Sequence, residues 1–235
     1  MRIRAAIFDI YGTLLEVGPP PADAAVRWSQ AWLAALGMAP RLGLAQFTDG
    51  CRQIVAAEHA AARERGIVFP EVYWPDVVDT MLPEFARLPA AARAASAVYG
   101  ADFMHTVRLM PGATAALCAA QTASLRLGLA SNCQPYSLRE LGDALAAAGL
   151  SRKLFEPRLS FLSFEHGFSK PDPHVFRLLT ARLRTLGIAP GEAVMIGDCA
   201  DNDLDPARAY GWQTLAIGTD PAAALARLRE MFLHP

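Results

Sequence analysis

The sequence predicts an α/β fold: a doubly wound, parallel, Rossmann-like sheet with an inserted all-helical cap domain. Two observations support this prediction. From residue 125 onward, short β-rich apolar runs alternate with helical stretches over short connections, a pattern that favours a parallel sheet with right-handed crossovers. Between Ala22 and His105, by contrast, apolar residues keep helical spacing and no segment alternates like a strand.

The first part of the chain predicts one strand followed by the helical insert. Arg4–Phe8 is a short buried strand, and Gly18-Pro19-Pro20-Pro21 is a stiff connector that marks a domain boundary. Helices are expected over Ala22–Leu36 and about Leu44–Arg65, with shorter ones between Pro70 and Tyr99. The predicted division is a core domain of residues 1–17 and 106–235 and a cap domain of residues 18–105.

The remaining residues predict the rest of the sheet and the helices that cover it. Because the insert lies in the first crossover, the cap is expected to hang over the carboxyl edge of the sheet, as a lid that excludes water and contacts substrate. Strands are expected at 125–130, 158–161, 192–196 and 213–217, with helices at 111–120, 136–148, 174–186, through 210 and from 221.

Composition and charge exclude several classes of function. The chain has a formal net charge of −1 and no long run of one sign, whereas nucleic-acid and membrane-surface binding need clustered Lys and Arg. The expected partner is therefore a small anionic molecule. No apolar run reaches the ~20 residues of a membrane span, and the one behind the basic N-terminus is too short for a signal peptide. The 4 cysteines lack metal-ligand spacing, which predicts reduced thiols and a cytoplasmic protein.

Polar residues follow four of the predicted strands. They are Asp9 to Thr13, Ser131-Asn132, Lys170, and Asp198 with Asp203. Each alone is typical of a turn, a helix cap or a solvated loop. In an open parallel sheet, however, ligands bind at the carboxyl edge, where all four stretches are expected to meet. An aspartate there is a possible nucleophile, able to form an ester or an aspartyl-phosphate.

These stretches resemble the haloacid dehalogenase-like (HAD) hydrolase superfamily along nearly the whole chain. The insert resembles members whose helical cap follows the first strand. The resemblance implies that Asp9 is the nucleophile and that the hydroxyls of Thr13 and Ser131 hold substrate oxygens, helped by backbone N–H groups of the Tyr11-Gly12 turn. It also implies that Asn132 positions the substrate and the cap.

The resemblance further implies a charged centre around the nucleophile. Lys170 would neutralise charge between Asp9 and the substrate and help to keep Asp9 ionised. Asp9, Asp198 and the carbonyl oxygen of Tyr11 would bind Mg²⁺, since oxygen ligands shared with a phosphate suit that ion. Asp203 would hold the metal-bound waters or Lys170.

The first motif departs from the phosphatase pattern. Tyr11 stands two positions after the proposed nucleophile, where superfamily phosphatases carry a second aspartate that acts as general acid and base. A tyrosine with a pKa of ~10 cannot readily serve as a base near neutral pH. Asp-x-Tyr-Gly-Thr-Leu instead resembles the 2-haloacid dehalogenases, whose halide leaving group needs no proton. Those enzymes use a cap arginine. Arg27 is the candidate, with Arg41 next, and a solvated helix-face role stays open for Arg27.

The last motif resembles the Mg²⁺-dependent phosphatases. An aspartate at position 198 is typical of the metal-binding members of the superfamily. Ala200 stands where the dehalogenases have an asparagine. Without a metal, Asp198, Asp201 and Asp203 would repel a 2-haloacid anion. Loss of a general acid typically lowers the reaction rate ~10²–10⁴-fold, which a phosphatase can tolerate when the substrate has a good leaving group. The sequence therefore favours Mg²⁺-dependent hydrolysis of a small phosphate ester. The alternatives are a metal-independent 2-haloacid dehalogenase with an alkyl ester on Asp9, and a catalytically weak member that binds a metabolite or protein.

Overall fold

The computed structural model describes residues 2–233 as seven strands and ten α-helices. Their bounds follow the predicted alternation. The strands are β1 (Ala5–Phe8), β2 (Leu15–Gly18), β3 (Thr106–Leu109), β4 (Arg126–Ser131), β5 (Phe161–Leu162), β6 (Ala193–Gly197) and β7 (Gln213–Ala216). The helices are α1 (Ala24–Leu36), α2 (Leu44–Glu64), α3 (Trp74–Met81), α4 (Pro83–Ala86), α5 (Ala90–Ala95), α6 (Ala113–Thr122), α7 (Pro135–Ala147), α8 (Pro173–Thr185), α9 (Asp205–Ala209) and α10 (Pro221–Leu233).

A five-stranded parallel sheet in the order β5-β4-β1-β6-β7 lies at the centre of the fold, which confirms the predicted class. The central strand β1 is buried along its whole length and pairs with β4 on one side and β6 on the other. Phe8 lies opposite Leu129 and Ile196. The segments that follow β1, β4 and β6 therefore emerge side by side at one edge of the sheet.

Both faces of the sheet are covered, as its central strand requires. Alternate β1 residues point to opposite sides, so Phe8 joins an apolar cluster with Leu117 of α6 and Leu228 of α10, while Ile7 joins another with Phe176 of α8. A parallel strand that is buried on both faces consists of consecutive apolar residues, and this pattern makes β1 recognisable in the sequence.

The cap helices enclose an apolar cluster of their own. Trp28 and Trp32 on α1 are buried and pack against aromatic rings from other helices, with centroid separations of 4.8 Å between Trp28 and Phe47 and 5.0 Å between Trp32 and Phe85. Aromatic pairs at these separations favour a defined geometry. These aromatic residues therefore form the interior of the helical insert. Within residues 2–233, no helix combines the length and apolarity needed to cross a bilayer.

An antiparallel ribbon joins the cap to the sheet, and the sequence analysis did not predict it. Strands β2 and β3 pair Leu15 with Leu109, and Glu16 accepts hydrogen bonds of 2.8 and 2.9 Å from Arg108. Glu16 and Arg108 are 92 positions apart, and four-residue strands offer too short a pattern for recognition. The predicted domain boundaries at residues 17/18 and 105/106 fall at this ribbon.

Two other predicted elements differ from the structure. The strand expected at 158–161 is only Phe161–Leu162, because a 3₁₀ turn occupies Pro157–Leu159. The helix expected before residue 210 starts as a π-helical turn over Ala200–Leu204 and becomes α-helical at Asp205. Such turns occur often at functional sites, and this one carries Asp203.

We predict that Gly128→Ala destabilises the protein by about 1–3 kcal/mol, through overpacking. A Cβ atom at Gly128 would overlap the carbonyl oxygen of Leu159 and lie 2.8 Å from Ile7 Cδ1. The matched control is Gly142→Ala inside α7, where the new Cβ meets only the flexible Arg152 side chain at 3.2 Å and alanine favours the helix. Urea unfolding measures both. Equal stability of the two variants would contradict the prediction.

Candidate active site

Asp9 lies at the carboxyl end of β1, in a turn whose backbone is tightly constrained. Its N–H donates to the carbonyl oxygen of Ile196 at 2.9 Å, and its residue surface is only 8% exposed. Gly12 in the same turn has φ +73°, and a Cβ there would overlap the carboxylate of Asp198. Glycine is required because the turn must adopt a left-handed conformation and approach the next strand end closely.

Lys170 connects Asp9 to the turn that follows β6. Its Nζ donates to Asp9 Oδ1 at 2.9 Å and to Asp203 Oδ1, and the residue is 3% exposed. Burial alone lowers the pKa of an amine, but the carboxylates of Asp9 and Asp203 together outweigh it, so the pKa of Lys170 is raised. The lysine is therefore charged at neutral pH.

Asn132 holds the backbone of Lys170 from both sides. Its Oδ1 accepts from the Lys170 N–H at 2.8 Å, and its Nδ2 donates to the Lys170 carbonyl at 2.9 Å. The sequence analysis expected Asn132 to position the substrate and the cap. The contacts in the structure align the loop that carries Lys170, here called the lysine loop, with the end of β4.

Three carboxylates converge at the site. Oxygen atoms of Asp9, Asp198 and Asp203 lie within 4.8 Å of one another. Burial and the charge of Asp9 raise the pKa of Asp198, and burial raises the pKa of Asp203 to about 6 in spite of Lys170. When ionised, three carboxylates beside one ammonium leave a net charge of 1 − 3 = −2.

The free oxygen donors of this cluster fit a hard divalent cation. Both carboxylate oxygens of Asp203 are occupied, one by Lys170 and the other by the Cys199 N–H at 3.2 Å. Asp198 is exposed, and its carboxylate accepts no hydrogen bond from the side chains of the described residues. The carboxylates left for Mg²⁺ are those of Asp9 and Asp198, with Asp203 behind them, and the family resemblance adds the backbone carbonyl of Tyr11.

Two buried hydroxyl groups at the site lack a partner. Thr13 is fully buried and Ser131 is 1% exposed, yet Thr13 Oγ1 and Ser131 Oγ form no hydrogen bond within residues 2–233. An unsatisfied buried hydroxyl costs roughly 1–3 kcal/mol, so such groups usually serve a bound ligand or water. Their position beside Asp9, at the ends of β1 and β4, suits the oxygens of an anionic substrate.

The side chain of Tyr11 leads away from this cluster. Its hydroxyl donates to Glu140 Oε2 at 2.5 Å, and Glu140 Oε1 lies 3.1 Å from His105 Nε2. Burial and this hydrogen bond to Glu140 raise the pKa of Tyr11, so the phenol stays protonated. No sequence motif indicates Glu140 or its contacts with Tyr11 and His105, because no local spacing relates residues that lie 129 and 35 positions apart.

The two cap arginines considered as substrate ligands are both engaged elsewhere. Arg27 Nε pairs with Asp23 at 2.8 Å, and Arg41 Nε pairs with Glu84 at 3.0 Å. Each arginine side chain is about half exposed, at 51% and 52%. The structure therefore does not bring either residue together with the aspartate cluster.

The cysteines are free thiols, as the sequence predicts for a reduced protein. Cys133 lies beside the site residues, but burial and the charge of Asp9 raise the pKa of its thiol to about 12. A thiol that remains protonated is a poor nucleophile. Cys133 is therefore a packing residue rather than a reactive group.

Comparisons with known proteins agree with this geometry. A family model described as haloacid dehalogenase-like hydrolase matches residues 3–211. A phosphoserine phosphatase from Thermus thermophilus is 31% identical over 212 residues, which are 86% of this chain and 77% of that protein.

Solved structures share the fold. A dehalogenase determined with an intermediate complex gives a TM-score of 0.50 at 21% identity, over 93% of this chain and 86% of its own. A HAD family enzyme from Bacteroides thetaiotaomicron gives 0.55 at 17% identity, over 94% and 97%. At such identities the likeness extends to the fold alone.

We predict that Lys170→Met lowers the free energy of unfolding by about 3–5 kcal/mol, because it leaves Asp9 and Asp203 buried without their counter-charge. The matched control is Lys153→Met, which removes the same group from an exposed position and should change stability by less than about 0.5 kcal/mol. Urea unfolding at neutral pH measures both. A loss at Lys170 no larger than at Lys153 would contradict the proposed role of this ion pair.

Proposed function

We propose that this chain, which belongs to the haloacid dehalogenase-like hydrolase family, is a Mg²⁺-dependent phosphatase acting on a small phosphate ester. The observation that carries the proposal is the aspartate cluster. Asp9 and Asp198 come within 4.8 Å of each other beside Asp203, and Lys170 neutralises only part of their charge. A divalent cation held by Asp9 and Asp198 would balance the remaining charge and supply electrostatic stabilisation for a phosphate group.

The same cluster argues against the dehalogenase alternative. Without a cation, a 2-haloacid carboxylate would enter a site that already carries excess negative charge, and like charges at close range in a buried site repel strongly. The cap arginines that would have to compensate for this repulsion, Arg27 and Arg41, pair with other acidic residues. The similarity to a phosphoserine phosphatase also supports phosphate-ester hydrolysis.

The proposed reaction begins with attack of Asp9 on phosphorus. A bond forms between an Asp9 carboxylate oxygen and phosphorus, the bond from phosphorus to the leaving oxygen breaks, and water later hydrolyses the aspartyl-phosphate. Lys170 donates a hydrogen bond to Asp9 and offsets charge on the transferring group, while Thr13 and Ser131 donate to its oxygens. Mg²⁺ held by Asp9, Asp198 and the Tyr11 carbonyl would supply further charge stabilisation.

The leaving group receives no ready proton from position 11. The Tyr11 hydroxyl donates to Glu140, and its raised pKa makes it a weak acid. We therefore expect turnover to depend strongly on how well the leaving oxygen carries negative charge. Aryl phosphates should react faster than alkyl phosphates such as phosphoserine. The small anionic substrate and the cytoplasmic location stay predictions from the sequence.

We predict Mg²⁺-dependent hydrolysis of p-nitrophenyl phosphate that EDTA abolishes and that Asp9→Asn reduces at least 10³-fold, because the nucleophile is lost. The control is Asp201→Asn, which removes an exposed carboxylate from the same loop as Asp198 and should retain activity within about threefold. Release of p-nitrophenol measures turnover. Chloride release from 2-chloropropionate in the presence of EDTA, with no phosphatase activity, would refute the proposal and favour the dehalogenase.

We predict that Tyr11→Phe keeps kcat for p-nitrophenyl phosphate within about threefold but lowers stability by about 1–3 kcal/mol, since buried Glu140 loses a donor. Tyr99→Phe is the matched control, because Tyr99 also donates to a carboxylate, that of Asp79 at 2.5 Å, within the helical insert. Kinetics and urea unfolding of both variants are compared. A tenfold or larger fall in kcat specific to Tyr11→Phe would show that its hydroxyl takes part in the chemistry.

A further inference from the structure

A segment of the helical insert, Phe69–Trp74, contacts both loops that carry the site, and we name it the latch segment. Its backbone runs antiparallel to the loop before Lys170. The Glu71 N–H donates to the Gly167 carbonyl at 3.0 Å, and the Ser169 N–H donates to the Phe69 carbonyl at 2.9 Å. The residue immediately before Lys170 is therefore attached to the latch segment.

The carboxylate of Glu71 contacts the core of the protein directly. Its Oε2 accepts from Ser163 Oγ at 2.7 Å, and its Oε1 accepts from Gln134 Nε2 at 3.0 Å. Ser163 is fully buried, and its Oγ also accepts from the Cys133 N–H at 2.8 Å. Glu71 thus reaches the turn that begins with Ser131 through two separate hydrogen bonds.

Gln134 strengthens the same attachment. Its Nε2 donates to the Val72 carbonyl at 2.8 Å, and its Oε1 accepts from the Trp74 N–H at 2.8 Å. The side chain is buried, and it directly follows the Ser131–Cys133 turn. Asn132 in turn binds the backbone of Lys170 on both sides. The latch segment, the β4 turn and the lysine loop therefore form one continuous hydrogen-bond network.

The single proton of the Ser163 hydroxyl makes this network sensitive to Glu71. Ser163 Oγ lies 2.7 Å from Glu71 Oε2 and 3.2 Å from the Cys133 carbonyl, and one proton can serve only one acceptor. The hydrogen bond to the charged carboxylate is the stronger. When Glu71 is removed, we expect the Ser163 hydroxyl to lose the acceptor that orients it, so that its hydrogen bond with the Cys133 N–H weakens and the turn that positions Ser131 loosens.

We propose that Glu71 is a positioning residue for the hydrolysis reaction. It holds Ser131 and Lys170 in place when the latch segment contacts the core. The position of the insert and the arrangement of the site are therefore coupled. This inference rests on the proposed phosphatase function. It assigns Glu71 no contact with the substrate, and its effect is carried by Ser163, Gln134 and the backbone of the lysine loop.

The test compares three variants by steady-state kinetics on p-nitrophenyl phosphate and by amide hydrogen exchange. Glu71→Ala removes both acceptors, Glu71→Gln keeps the shape and one acceptor, and Glu64→Ala removes an exposed glutamate of α2 as the control. We expect Glu71→Ala to lower kcat about 10- to 100-fold with KM changed less than threefold, because small misplacements of reacting groups are costly. Glu71→Gln should recover part of this loss, and Glu64→Ala should match the wild type.

Hydrogen exchange separates this inference from the proposed function. In Glu71→Ala, the core amides of Cys133 and Lys170 should exchange at least tenfold faster, since both depend on the network. If the wild type shows no phosphatase activity, the proposed function fails and the exchange data alone decide the role of Glu71. Unchanged exchange at both amides refutes the inference, as does a rise in KM with unchanged kcat. If Glu71→Ala does not fold, Glu71→Gln is judged by the same readouts.

Discussion

The ion pairs of Lys170 are the interaction on which the site depends. One buried ammonium faces Asp9 from the end of β1 and Asp203 from the turn after β6, so a single group holds two strand ends together. Removing a charge from such a cluster leaves its partners uncompensated in a medium of low dielectric constant. The loop that delivers Lys170 has to be positioned accurately, and Asn132 does this through two backbone hydrogen bonds.

The incomplete neutralisation of the cluster links folding to function. Asp198 stands beside Asp9, and partial burial together with the charge of Asp9 raises the pKa of Asp198. Under the proposed function, a bound cation would offset this repulsion, which is a general route from an unfavourable charge arrangement to ligand affinity. The hydroxyls of Thr13 and Ser131, which have no hydrogen-bond partner within residues 2–233, also favour ligand binding, because a ligand would supply their missing hydrogen bonds.

Position 11 shows how one residue changes the chemistry available to a shared fold. Its backbone lies in the turn that follows Asp9, but its side chain binds Glu140 and packs against His105, just before strand β3. A carboxylate at this position could act as an acid and a base for the leaving group. The tyrosine instead fastens the turn to α7 and to the segment that leads out of the helical insert. Substrate preference is then expected to follow the quality of the leaving group.

The sequence by itself determined the sheet, the helical insert and the residues of the charged centre. Buried parallel strands produce continuous apolar runs, and Asp9, Ser131 and Asp198 lie at the ends of such runs, while the family resemblance pointed to Lys170 and Asp203. Only the tertiary structure decided where side chains without a motif point, among them Glu71, Glu140 and His105, and that β2 pairs with β3. These contacts join residues far apart in the chain, and their energy depends on distance in space, which no local spacing encodes.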